Sequence, residues 1–126
     1  MLQMSVKTEL TDLTNVVDKL TSESYVDKDH LSIIGVSQGG VVASLYAATN
    51  PEQIYKLGLI FPAYVLFDDV KETYQNLGSP SFEQLPDRLT HHNASLGKIY
   101  LTDALDIDIE DVQRKIIGSY SNCTWN

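Results

Sequence analysis

Apolar positions recur along this chain first with a helical period and then in short runs, and that order predicts its architecture. Val6, Leu10, Leu13, Val17 and Leu20 are spaced by four, three, four and three residues, so they share one face of an amphipathic helix. Ser5 is its expected cap, with Glu9 early in the helix, and the pattern ends near Leu20 or Ser22. A polar approach then leads into Leu31-Ser32-Ile33-Ile34-Gly35, which reads as a short buried strand over residues 31–36. Val41-Val42-Ala43-Ser44-Leu45-Tyr46-Ala47-Ala48 follows. Its small residues predict a helix over 38–49 with one face against a sheet. Asn50-Pro51 closes that helix, with Pro51 opening a short helical turn through Tyr55, and a second apolar run predicts a strand over 57–62. Strand, helix and strand in this order make a parallel crossover.

Beyond Ala63 the pattern loosens. Residues 64–77 form a mixed stretch containing Asp68-Asp69, Gly78-Ser79-Pro80-Ser81 is a loop by composition, and residues 82–97 carry few periodic apolar positions. A further helix is expected over about 95–105, and the last eight residues are expected to fray. No internal repeat or low-complexity segment is present.

The junction between the first strand and the second helix carries Gly35-Val36-Ser37-Gln38-Gly39. A bare G-x-S-x-G frame arises by chance in about one chain in twenty-five of this length, so the pentad alone is weak. Its setting is informative, because a serine on a sharp strand-to-helix turn is the layout of a nucleophile elbow. Such a turn holds the serine in a strained conformation that aims its hydroxyl out of the strand end. Gly35 and Gly39 flank it, and a Cβ on either is expected to strike the opposite arm of the turn. The backbone amide of Gln38, at the helix start, is then placed to donate to an oxyanion.

The segment from Val26 to Gly40 resembles the α/β-hydrolase superfamily, and within it the bacterial cinnamoyl/feruloyl esterase-like serine esterases. Phe61-Pro62-Ala63 and Leu85-Pro86-Asp87-Arg88-Leu89 are similar to the same group, so the resemblance extends over roughly residues 5 to 117. It implies an α/β fold: a partial α/β-hydrolase core over 1–63, a cap-like insertion over 64–110, and a truncated, off-family tail over 111–126. It also implies a serine hydrolase of carboxylic esters, hydroxycinnamate-like ones among them, in which Ser37 attacks and a histidine carries the proton. Asp69 falls where these esterases place an acidic substrate contact, with Gln75 or Asn76 as weaker candidates; an exposed loop charge is the plainer reading.

The base is harder to find. In the resembled enzymes the triad runs Ser, then Asp or Glu, then His, with acid and base after later strands. The lead-in Leu105 to Ile116 looks like the approach to the acid-bearing strand, but Gly118 to Asn126 does not continue it, and the second oxyanion donor belongs ahead of Met1. The expectation is therefore a central portion of a hydrolase, of the kind a split gene produces. It lacks the triad Asp and His, turns over little by itself, and is complemented by a second polypeptide. His30 should lie at the far end of the first strand, about 20 Å from the elbow on strand geometry. His91 and His92 follow Ser37, with Asp68, Asp69 and Asp87 between, so the order is formally available. They sit in the cap-like stretch, where cap or surface roles are the plainer reading. The alternative to an enzyme is a non-catalytic interaction module or gene remnant.

Nine basic against seventeen acidic residues give a net charge of −8, which disfavours phosphate backbones and anionic lipid. No nucleic-acid or membrane partner is expected, and no apolar stretch approaches the roughly 18 residues of a span. The single cysteine, Cys123, suits a reducing cytoplasm. Asp106, Asp108, Glu110 and Asp111 lack the turn glycine of a calcium loop, so neither metal nor cofactor is expected. Two parallel strands are too few for an independently stable sheet. The chain is accordingly expected to form a homodimer or larger oligomer through its open sheet edges.

Overall fold

The computed structural model describes residues 2–91 and 93–120, with His91 described by its backbone alone. The expected fraying of the last eight residues, His92 and Cys123 fall wholly or mostly outside these residues. Helix α1 (Val6–Ser22) starts at a reciprocal capping box: Ser5 Oγ accepts from the Thr8 amide, and Thr8 Oγ1 accepts from the Ser5 amide at 2.8 Å. This satisfies two amides that would otherwise lack partners. Ser5 is fully buried, and its hydroxyl donates onward to Asp103. Strand β1 (Ser32–Val36), helix α2 (Gln38–Thr49) and strand β2 (Lys56–Ile60) form the crossover read from the sequence, with the strands parallel and Ser32 to Val36 in register with Lys56 to Ile60.

Helix α2 is buried from Gly40 through Ala47. A helix that is apolar all round sits in the middle of a fold, and α2 has neighbours on every side. Val41 and Leu45 belong to the largest core cluster, Ala43 and Ala47 meet Leu57, Leu59 and Ile116, and Tyr46 meets Val17 and Ile54. One sheet face, carrying Leu57 and Leu59, is closed in this way. The opposite face, with Ile34, Val36 and Ile60, is open.

Several expectations are corrected. No helix forms after Pro51: residues 51–53 are a turn, and the Tyr55 amide donates to Leu31 O at 2.7 Å, which draws the chain into the sheet early. The loose stretch after Ala63 is in fact helix α3 (Val65–Asn76), which buries Leu66, Phe67 and Val70. Residues 88–97 are an antiparallel hairpin, β3 (Arg88–His91) and β4 (Ala94–Gly97), so His91 ends a strand. Leu89 and Leu96 are cross-strand partners and both are buried. Asn93 takes the positive φ of 64° that the connection needs. Helix α4 (Lys98–Leu105) therefore starts three residues later than expected.

Helix α5 (Ile109–Ser119) begins at Asp108, whose carboxylate accepts from the Asp111 amide at 3.1 Å. The boundary drawn between residues 110 and 111 falls inside this helix. The residues read as cap-like share one apolar cluster with Val6, Val41 and Leu45, through Leu66, Phe67, Leu85, Leu89, Leu96 and Leu101. Asp106 pairs with Lys7, and Asp111 pairs with Lys115 at 2.8 Å. Those hydrogen bonds hold both carboxyls below their ordinary range.

Candidate active site

Ser37 leaves β1 with φ 53° and ψ −124°. A non-glycine residue rarely adopts such a conformation, and it costs about 1–3 kcal/mol where the surroundings enforce it. Here they do so through three backbone bonds. The Ser37 amide donates to Ile60 O at 3.1 Å, while Ser37 O accepts from the Gly40 and Ala63 amides, both at 3.0 Å. The turn is thus tied to the end of the neighbouring strand as well as to its own helix. The Ser37 side chain is exposed and takes no capping bond from α2.

The glycine expectation holds on one side only. A Cβ on Gly35 would lie 2.5 Å from Gly39 O, 2.6 Å from Gly40 Cα and 2.8 Å from Ala43 Cβ, so the close approach of β1 to α2 requires glycine there. A Cβ on Gly39 would meet nothing within 4 Å. The second sterically required glycine is Gly40, where a Cβ would lie 2.9 Å from Pro62 Cβ. The reason is tertiary: Gly40 faces the loop after β2, and Gly39 faces open space.

Further bonds fix this first turn. The buried Ser44 hydroxyl donates to Gly40 O at 2.7 Å, so its 2.7 Å contact with Tyr64 is one in which the phenol donates. The Gln38 amide, first in α2, is among the helix amides that lack an intrahelical acceptor. The Gln38 side chain donates from Nε2 to Glu9 Oε2 on α1 at 2.8 Å. Tyr100 on α4 is buried, which raises its phenol pKa, and the charges of Glu9 and Asp69 push it the same way. Glu9 and Asp69 therefore each lie within electrostatic reach of Tyr100. Glu9, Gly40, Ser44 and Tyr64 had no assigned place in the site. The adjacent glycines are the one sequence signal that could have raised Gly40.

His30 is the one histidine whose side chain is described. It precedes β1, is exposed, and its Nδ1 lies 2.7 Å from Asp27 Oδ2. That is the strand end opposite Ser37, so among the described side chains no imidazole stands at the serine. His91 is the last residue of β3, paired in register with Ala94. Asp69 lies on α3. Among the described residues no group of three or more His, Cys, Asp or Glu side chains is placed to hold a metal, and no helix is long and apolar enough to cross a membrane.

A parallel crossover whose first turn holds a positive-φ serine beneath a helix start is the core of an α/β-hydrolase, the fold class of this chain. The chain belongs to the prolyl oligopeptidase family, whose sequence profile matches residues 3–90. Thirteen solved chains match it in fold. One is Est1E from Butyrivibrio proteoclasticus, at a TM-score of 0.75 and 21% identity, covering 96% of this chain and 59% of that one. The chain thus spans less than two thirds of that structure. Among curated proteins, none matches it in sequence.

Proposed function

We propose that this chain is the nucleophile-bearing part of a serine hydrolase acting on carboxylic esters. The observation that carries the reading is the Ser37 geometry: a φ of 53° held by backbone bonds from both neighbouring elements, directly before the first amide of α2. Backbone strain of this kind clusters at sites where chemistry uses it. Ser37 Oγ would attack the ester carbonyl carbon, and the Gln38 amide would donate to the oxygen that gains negative charge. Collapse of the tetrahedral species would expel the alcohol, and water would then release the acid from the acyl-serine. An acid and a base completing the triad are, in this reading, not among the described residues, and residues elsewhere or a second polypeptide supply them. One cysteine and a strong acidic balance suit a cytoplasmic setting.

Without a positioned base, which contributes about 10²–10⁴-fold, the purified chain is expected to hydrolyse p-nitrophenyl acetate weakly. Ser37→Ala should return that rate to the uncatalysed background with the circular dichroism spectrum unchanged. A rate unaffected by Ser37→Ala contradicts the assignment. Cleavage of a peptide amide in place of the ester would redirect the substrate class toward the reaction named by the family.

A second reading, a self-associating interaction module, is favoured by the open face of the sheet. Ile34 and Val36 are 73% and 56% exposed there, beside Ile60. An exposed apolar face of this kind marks an association surface. Sedimentation at micromolar concentration is expected to show a dimer or larger species that Ile34→Lys weakens. A monomer under those conditions removes the second reading.

A further inference from the structure

The parallel register ends with Val36 opposite Ile60, and the Ser37 amide then bonds Ile60 O at 3.1 Å. Phe61 therefore follows the last register pair on β2 as Ser37 does on β1, which places the two residues side by side at the strand ends. It too departs from the strand with a positive φ, 44°. Glycine or asparagine suits that conformation, and for a bulky aromatic residue it is an outlier. The loop is clamped directly after this position. Pro62 lies against Gly40, and the Ala63 amide donates to Ser37 O at 3.0 Å.

Among the described residues, no core cluster uses the Phe61 ring, and Phe61 is 76% exposed. Val65, in the first turn of α3 just after this loop, is 62% exposed. An aromatic residue is thus kept in an unfavourable backbone conformation, in solvent, next to the serine that takes the acyl group. We propose that Phe61 is a specificity-determining residue, an aromatic platform that receives the apolar acyl part of the substrate at Ser37. The inference rests on the hydrolase reading and adds the class of acyl group: apolar and large enough to cover a ring, in preference to acetyl.

The test compares Ser37 labelling rates, by intact mass, for a methyl and a phenyl fluorophosphonate in the full chain. Wild type is expected to favour the phenyl probe, and Phe61→Ala to lower that preference about tenfold, the scale on which one apolar contact discriminates substrates. Phe61→Tyr should retain the preference. Phe61→Gly removes the ring and the backbone cost together, so it should fold at least as well as wild type and lose the preference equally. Equal changes with both probes, or no change with either, overturn the proposal while leaving the hydrolase reading in place. Absence of Ser37 labelling in folded wild type overturns the hydrolase reading and the proposal with it.

Discussion

Gly35→Ala is expected to destabilise the fold by about 3 kcal/mol, at the upper end of what overpacking a core costs, and to remove the reactivity of Ser37. The new methyl would lie 2.5–2.8 Å from Gly39 O, Gly40 Cα and Ala43 Cβ. Two of those atoms are backbone and the third is a buried helix methyl, so no side chain can rotate away. Relief requires α2 to move off β1. That movement also breaks the Ala63-to-Ser37 and Tyr64-to-Ser44 bonds that hold the turn. Gly39→Ala is the matched control. Its methyl meets nothing, and alanine is favoured over glycine inside a helix by up to about 1 kcal/mol, so stability should be unchanged or higher. Urea unfolding of both variants checks the pair. Equal losses would contradict the packing described.

Ile116→Ala is expected to cost about 3 kcal/mol, within the range for truncating a fully buried isoleucine. Ile116 is fully buried and closes the cluster of Ala43, Ala47, Leu57 and Leu59. The alanines of α2 leave room that the large Ile116 side chain from α5 fills, so its loss opens a cavity directly behind the sheet. The adjacent Ile117 is 55% exposed, and its replacement by alanine should fall within about 0.5 kcal/mol of wild type. If the two variants unfold alike, α5 is not docked as described.

The crossover was legible because its signals are local: a helical stripe with a serine cap, two apolar runs, and a small-residue helix between them. Helix α3 was not, because Val65 and the Asp68-Asp69 pair blur a face that rests on Leu66, Phe67 and Val70. The β3–β4 hairpin offers only four residues a strand, too few for alternation to stand out. At the site, Ser37 and Gln38 could be placed from the pentad and its flanks. The preference for Gly40 over Gly39 is a contact with Pro62, and the Glu9–Gln38 bond joins residues 29 positions apart. Nothing local encodes either one. The positive φ of Phe61 has the same origin, since the loop bends to satisfy the elbow beside it.

The central claim is that the Ser37 turn is built for nucleophilic attack. Its most direct test is the intact mass of the folded chain after exposure to a fluorophosphonate, wild type against Ser37→Ala. The account predicts one phosphonyl adduct on wild type, formed slowly without a positioned base, and none on the variant. A folded wild-type chain that gains no adduct, or a variant that labels equally, would contradict it.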